Sequence, residues 1–331
     1  MIKIHSERST PLLEVHDLSI AFDTRHGLLS AVDSISFSLV SGEILGVVGE
    51  SGAGKSLTGS AIIGLIEPPG RIVGGQILFE GNRIDNLVRE QMRRIRGKKI
   101  GSIFQDPLTS LNPLYTIGRQ LTETIQTHLN LDRAQARSNA IELLADVGIP
   151  APDKRIDHYP HQFSGGMRQR VVIALALCAN PKLVIADEPT TALDVSIQSQ
   201  IIALLKKLCR VHGTAVILIT HDMGVIAETV DRVAVMYSGR FAEIGPVHQV
   251  VKEPRHPYTR GLMGSIPVVG ADVPYLTQIE GAMPRLSDIP PGCAFHPRCP
   301  EAMPRCSSVR PEPRHIFGCD VACLLYEGGY E

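Results

Sequence analysis

The sequence predicts an α/β protein built around a buried, mostly parallel sheet, and three apolar runs carry that expectation. Ile44, Leu45, Val47 and Val48 lead into the glycine-rich stretch Gly49-Glu50-Ser51-Gly52-Ala53-Gly54-Lys55-Ser56. Leu183-Val184-Ile185-Ala186 ends in two carboxylates, Asp187 and Glu188, and Ala215-Val216-Ile217-Leu218-Ile219 ends in Thr220-His221. Apolar runs without alternation suit parallel strands covered on both faces. Each run delivers polar groups to the carboxyl edge of the sheet, where such folds bind ligands.

The glycine-rich stretch has the GxxxxGKS pattern of a phosphate-binding loop. Its glycines let the backbone turn tightly enough for N–H groups to surround phosphate oxygens. Lys55 is expected to reach the β- and γ-phosphates, and the Ser56 hydroxyl to bind Mg²⁺. The helix that follows turns the positive end of its dipole to the anion. On the second run, Asp187 is expected to hold Mg²⁺ through water and Glu188 to act as general base toward the attacking water. His221 is delivered to the same edge. Ser164-Gly165-Gly166 opens a long apolar helix and is a second phosphate-binding device. Two such devices in one chain suggest that each serves a different ATP, and so a dimer with ATP between subunits.

The remaining elements follow in order. Residues 12–48 read as strands, with Ile35, Phe37 and Leu39 alternating with Ser34, Ser36 and Ser38 as in a half-buried strand. Gln76–Glu80 and Ile100–Gln105 read as further short strands. From about 112 to 175 the pattern turns helical. Asp132–Arg137 and Ala140–Val147 fit amphipathic helices, closed by Gly148 and Pro150. Residues 176–250 return to alternating strand and helix, with a hairpin of Arg232–Tyr237 and Arg240–Ile244 across Ser238-Gly239. From Pro246 onward the chain is proline-rich. No internal repeat is present, so the chain holds one nucleotide-binding unit.

Composition narrows the function classes. The chain has 331 residues, of which 44% are hydrophobic, enough for a substantial core. Its 33 basic and 34 acidic residues leave a net charge of −1, without the basic excess of a nucleic-acid binder. The local run Arg93-Arg94-Ile95-Arg96-Gly97-Lys98-Lys99 reads as a solvated helix end. No stretch approaches the roughly 20 apolar residues that cross a bilayer. Met1–Thr10 lacks a signal-peptide pattern, which predicts a cytosolic chain; if it energises transport, the membrane channel is a separate chain.

With its motifs in this order, the chain resembles the ATP-binding subunits of ABC transporters over nearly its whole length. The resemblance implies a P-loop NTPase cassette with a RecA-like core, an antiparallel β subdomain and a helical subdomain at about 112–175. Gly49–Ser56 resembles the Walker A loop, and Leu183–Glu188 resembles Walker B with Glu188 at the catalytic position. Gln105, in Phe104-Gln105-Asp106-Pro107, resembles the Q-loop glutamine, a catalytic-site and Mg²⁺ contact. Ser164-Gly165-Gly166 resembles the family signature, with Phe163 and Met167 in place of the usual Leu and Gln. Thr191-Ala192-Leu193-Asp194 resembles the D-loop, and His221 the switch histidine that senses γ-phosphate. Phe22 resembles the aromatic residue that stacks on adenine; a core Phe is the alternative.

Leu108-Thr109-Ser110-Leu111-Asn112-Pro113, His256-Pro257-Tyr258-Thr259 and Ser265-Ile266-Pro267 are similar to the oligopeptide/dipeptide importer branch, which also holds nickel and glutathione systems. The resemblance implies a cassette at 12–255 and a C-terminal extension at 256–331. It further implies a second ATPase subunit, a related chain or another copy, two membrane permeases, and an extracytoplasmic solute-binding protein acting indirectly. The chain would then sit peripherally on the cytoplasmic face of the membrane. A soluble non-transport ABC ATPase is the competing class, but such proteins usually carry two cassettes or a long coiled-coil insertion, and neither is present here.

Cysteine usage is the last signal. Cys178 and Cys209 lie in apolar helical stretches and read as buried small residues. Cys293, Cys299, Cys306, Cys319 and Cys323 crowd the tail. Disulfides are disfavoured in a reducing cytosol, scattered structural thiols are a weaker reading, and thiolates suit zinc or iron–sulfur clusters. Gly292-Cys293-Ala294-Phe295-His296-Pro297-Arg298-Cys299 resembles tails of peptide-branch relatives that look like [4Fe–4S] sites. That resemblance implies Cys293, Cys299, Cys306 and Cys323 as ligands, with Cys319 the alternative to Cys323.

Overall fold

All three apolar runs become parallel strands lying side by side. The computed structural model describes residues 10–25, 27–190, 194–265 and 278–327. The strands are β1 (Leu13–Thr24), β2 (Gly27–Leu39), β3 (Ile44–Val48), β4 (Gly70–Phe79), β5 (Asn82–Arg83), β6 (Ile100–Ile103), β7 (Leu183–Asp187), β8 (Ala215–Ile219), β9 (Arg232–Tyr237), β10 (Arg240–Pro246), β11 (Arg314–Ile316) and β12 (Cys319–Val321). The helices are α1 (Lys55–Ile62), α2 (Arg89–Ile95), α3 (Pro107–Ser110), α4 (Ile117–His128), α5 (Arg133–Asp146), α6 (Pro152–Arg155), α7 (Gly165–Leu177), α8 (Val195–His212), α9 (Met223–Thr229), α10 (Val247–Lys252) and α11 (Pro257–Gly264).

The main sheet runs β11-β12-β10-β9-β3-β8-β7-β6. From β9 to β6 the neighbours are parallel, and β10, β12 and β11 continue it antiparallel. Period-two alternation divides the parallel strands between two cores. Ile44, Val48, Val184, Ala186, Val216 and Leu218 face the helical side. Leu45, Val47, Leu183, Ile185, Ile217 and Ile219 face a second, antiparallel sheet of order β2-β1-β4-β5. On β2 the expected alternation is present: Ile35, Phe37 and Leu39 are buried and the intervening serines exposed.

The helical region holds α3 to α7. Asp132–Arg137 and Ala140–Val147, expected as separate helices, form the single helix α5. Nothing between Arg133 and Asp146 is Gly or Pro, so no residue breaks it. Asp132 Oδ1 accepts from the Gln135 N–H at 2.9 Å, and Gln135 Oε1 accepts from the Asp132 N–H at 3.0 Å, a reciprocal capping box. Ala136, Ala140 and Leu144 form its buried stripe at the four-residue spacing of one helix face. The expected strand 100–105 stops at Ile103, and that leaves Gln105 exposed in the loop beyond.

The C-terminal residues are continuous with the main sheet. Glu243 and Ile244 of β10 pair with Val321 and Asp320 of β12. Tyr258 and Phe295 enter the same core and pack edge-on or tilted with Tyr237 and each other, at centroid distances of 4.7 Å (Tyr237–Tyr258), 5.2 Å (Tyr237–Phe295) and 5.3 Å (Tyr258–Phe295). The sequence division at 255/256 thus crosses one sheet and one core.

Candidate nucleotide site

The loop between β3 and α1 is shaped by close backbone approach. Gly49 has φ +150°, and a Cβ there would come within 2.1 Å of the Met236 carbonyl oxygen, a distance no side chain tolerates. Gly54, with φ +105°, precedes α1 and offers no side-chain cap, so the first N–H groups of that helix are left for an anion. Lys55 is 5% exposed. Its Nζ donates to the carbonyls of Gly49 at 2.8 Å and Glu50 at 3.0 Å, which folds the ammonium back into the loop. Burial pulls its pKa down, while the carboxylates of Glu188, Asp187 and Glu50 act in the opposite direction.

Ser56 and Asp187 meet across the site, where Ser56 Oγ donates to Asp187 Oδ1 at 2.9 Å. Burial pushes the Asp187 carboxyl up, opposed by the Ser56 hydrogen bond, with Glu188 adding a smaller upward push. A hydroxyl and a carboxylate side by side are hard oxygen donors and fit Mg²⁺. Glu188 takes a left-handed backbone conformation, φ 45°, held by its N–H donating to Ile219 O at 2.8 Å. Strain of this kind in a non-glycine residue is characteristic of functional sites. One carboxylate oxygen of Glu188 accepts from Gln105 Nε2 at 2.9 Å, and the other lies 3.4 Å from His221 Nδ1. Lys55, Ser56, Gln105, Asp187, Glu188 and His221 therefore converge on one edge of the sheet.

The other expected residues lie apart from that group. Ser164 caps α7, its Oγ accepting from the Met167 N–H at 3.4 Å. A Cβ on Gly166 would meet Ile197 Cγ2 at 2.9 Å, so α7 and α8 cross closely at the two-glycine start. Among the described residues, no hydrogen bond joins Ser164, Gly165 or Gly166 to Gly49–Ser56. Asp194 is exposed and precedes α8; Thr191, Ala192 and Leu193 lie outside the described residues, as do Ile266 and Pro267. Phe22 is half-buried on β1, its ring over Gly70. A cavity of about 470 Å³ lies elsewhere, bordered by Asp33, Arg240, Phe241, Pro291 and Arg310.

Four of the five tail cysteines meet. Cys293, Cys299, Cys306 and Cys323 line one small cavity together with His296. Cys319 does not: its Sγ lies against Gly245 and 3.4 Å from Gln249 Oε1. Burial, then the neighbouring Cys293, Cys299 and Cys306, push the Cys323 thiol up to about 12. Among the described residues, no three His, Cys, Asp or Glu side chains are arranged to hold a metal ion, so the four thiols share a cavity without forming a ready single-ion site. Cys178 and Cys209 are buried as expected, their thiols pushed up to about 12 by burial.

Sequence reasoning missed how the tail reaches the phosphate loop. Tyr258 Oη accepts from the Glu50 N–H at 3.0 Å, Met283 packs against Gly52, and Arg298 pairs with the Glu50 carboxylate at 2.9 Å. A lone Arg between two cysteines and a Tyr in a proline-rich tail carry no periodic signal. Both stand in motifs of the tail, His256-Pro257-Tyr258-Thr259 and Gly292–Cys299, but neither motif says that its Tyr or Arg faces Glu50.

Comparison with known proteins fits this geometry. Residues 32–191 match the ABC transporter family, and residues 242–306 match the C-terminal region of oligopeptide/dipeptide transporters. The chain is 46% identical over 318 residues to the oligopeptide transport ATP-binding protein AppD of Bacillus subtilis, covering 96% of this chain and 97% of the relative. It is 47% identical over 323 residues to the oligopeptide transport ATP-binding protein OppD of Escherichia coli, covering 98% and 96%. Among solved structures, the dimeric post-hydrolysis state of the cassette MJ0796 bound to ADP and Pi superposes with a TM-score of 0.64 at 27% identity, over 71% of this chain and 98% of that one.

Proposed function

The chain belongs to the ABC transporter ATP-binding proteins of the oligopeptide and dipeptide type, and from that premise we infer that it is the ATP-hydrolysing, energy-coupling subunit of a peptide importer. The observation that carries the inference is the convergence of Lys55, Ser56, Gln105, Asp187, Glu188 and His221 at one sheet edge. Gly49 to Gly54, with Lys55, bind the triphosphate. Ser56 and Asp187, with Gln105 as a further contact, would hold Mg²⁺, which would supply charge neutralisation on the phosphate oxygens. Glu188 accepts a proton from the water that attacks the γ-phosphorus; the bond from the β–γ bridging oxygen breaks and ADP leaves. Gln105 and His221 fix the Glu188 carboxylate from two sides, so its orientation is set before the water arrives.

The site is an open edge, and a second subunit completes it. Ser164, Gly165 and Gly166 point their helix N-terminus at the γ-phosphate held by the partner, and Asp194 lies beside that junction. The partner is a related, non-identical chain in our reading, with another copy of this chain as the alternative. Two permeases dock on the helical region near 112–175, and the solute-binding protein acts through them. The division into a cassette at 12–255 and an extension at 256–331 is kept as functional. Phe22, half-exposed at the end of β1, stacks on adenine. No helix among the described residues is long and apolar enough to cross a membrane; in our reading, which rests on the permease partners, the chain sits peripherally on the cytoplasmic face. Nickel or glutathione import is the alternative within the same branch.

We further assign a [4Fe–4S] cluster to Cys293, Cys299, Cys306 and Cys323. Their shared cavity supports it, and a cluster spreads its four thiolates more widely than a single ion does. Thiols bind metal as thiolates, so binding would release their protons. Iron and sulfide are assayed in anaerobically purified protein: Cys323→Ser is expected to lose the cluster and Cys319→Ser to keep it, and iron-free wild type removes the assignment. The transport assignment is tested by ATPase activity of the chain reconstituted with its permeases. Stimulation by binding protein loaded with peptide supports import; activity indifferent to both overturns it.

A further inference from the structure

The C-terminal extension and the phosphate loop meet at Glu50. Arg298 Nη1 lies 2.9 Å and 3.2 Å from the two carboxylate oxygens of Glu50. The Arg298 side chain is only 7% exposed and that of Glu50 29%, so the pair is screened less than a surface ion pair. The guanidinium is fully committed to this position. Its Nε donates to Glu280 O at 2.9 Å and its Nη2 to Gly281 O at 3.2 Å, while Nη1 also reaches Tyr237 Oη at 3.3 Å.

The placement has an electrostatic consequence. Glu50 is the second residue of a loop shaped to hold a polyanion, and its carboxylate is near enough to Lys55 to bias that ammonium. An unpaired carboxylate here repels the phosphates and competes for Lys55. We propose that Arg298 is a positioning residue for nucleotide binding, neutralising Glu50 so that the phosphate loop presents a net positive face to ATP. Arg298 acts through Glu50 and does not touch the substrate. Because Arg298 ends the short helical turn His296–Arg298 between Cys293 and Cys299, the cysteine-lined extension holds part of the nucleotide site's charge balance. The inference rests on the reading that Gly49–Ser56 binds ATP.

The experiment is a mutant cycle on the full chain, measuring Mg-ATP and Mg-ADP dissociation constants by calorimetry. Arg298→Gln is expected to weaken Mg-ATP binding about fivefold to tenfold, well below a direct charge contact, because Arg298 acts through Glu50 and not on the phosphates themselves. The loss is expected to be smaller for Mg-ADP, which carries less charge. Arg298→Lys keeps the charge while losing the forked hydrogen bonds, and restores most of the affinity. In a Glu50→Gln background, Arg298→Gln is expected to cost little. An equal loss with and without the Glu50 carboxylate, or no recovery in Arg298→Lys, shows a purely structural role and overturns the proposal, as does unchanged affinity in Arg298→Gln. Wild-type protein that binds no Mg-ATP defeats the nucleotide-site reading instead, and is distinguishable from either.

Discussion

The β3–α1 loop and the C-terminal extension touch at Glu50 and Gly52, yet they are built on different physics. The loop is a backbone device. Its shape comes from glycines at positive φ and from a carbonyl, Met236 O, that leaves no room for a Cβ at Gly49. The extension is a side-chain device. Tyr258 and Phe295 anchor it in the cassette core, two short strands join it to the sheet edge, and four thiols, that of Cys306 buried and the others half-buried, line its small cavity. Backbone sites need particular residue types at fixed spacing, so they are rigid in sequence. Side-chain seats need volume and polarity in the right place, which many sequences satisfy. The first carries chemistry, and the second tunes it and fixes it in place.

The largest effect expected in the loop region is on turnover. Glu188→Gln keeps the hydrogen-bonding shape beside Gln105 and His221 but removes the base. Turnover in the reconstituted complex is expected to fall by about 10²- to 10⁴-fold with ATP binding retained. Normal hydrolysis by this variant reassigns the base and breaks the loop side of the comparison. On the extension side, Tyr258→Ala empties a fully buried aromatic site (0% exposed) and is expected to cost about 3–5 kcal/mol of stability, read by chemical denaturation. A small cost shows that the extension is held by its strands rather than by its aromatic anchor.

That contrast also explains what the sequence revealed. The three apolar runs located β3, β7 and β8 because two-faced burial leaves an unbroken apolar record, and Lys55, Ser56, Asp187 and Glu188 stood at their ends. Gln105 stood two residues past β6. Serine alternation located β2. The join between the extension and the sheet left no such record: β11 and β12 are three residues each, too short for a period. Arg298 and Tyr258 were invisible as partners of Glu50, since each is one residue whose contact lies more than 200 positions away. Likewise, which of Cys319 and Cys323 joins the other three thiols depended on the path of the chain beyond β12: Cys319 opens that strand, and Cys323 lies past its end, before the turn Leu324–Tyr326, a path that spacing does not encode.

Acid separates the two regions next. His256 is 3% exposed, caps α11, and accepts the Tyr258 N–H on Nδ1 at 3.0 Å. Burial, assisted by Arg260, holds its pKa down to about 3. A folded-state pKa below the unfolded value means the unfolded chain binds the extra proton, so stability is complete above about pH 6.5 and falls as pH drops toward 3. At pH 5 the loss is about 2 kcal/mol. Glu243 accepts the N–H groups of Arg255 and His256, and burial raises its carboxyl, which favours the neutral acid and acts in the opposite direction at low pH. His256→Asn removes the titration and retains a capping side chain. It is expected to flatten the stability profile between pH 5 and 7, and an unchanged slope moves the acid sensitivity to another group.

The smallest change tests the seam itself. Tyr258→Phe leaves the ring packed against Tyr237 and Phe295 and deletes only the hydroxyl that accepts the Glu50 N–H. One hydrogen bond to a half-buried backbone donor is worth about 1 kcal/mol, so denaturation is expected to move slightly and Mg-ATP affinity to weaken no more than about fivefold. The charge contact from Arg298 and the hydrogen bond from Tyr258 act on the same residue, less than one side chain apart, and such neighbours are expected to couple. If Tyr258→Phe and Arg298→Gln together cost less than their sum, the extension holds Glu50 as a unit, with side chain and backbone fixed together. If the costs add, the backbone shape of the loop is self-sufficient, and the extension contributes charge alone.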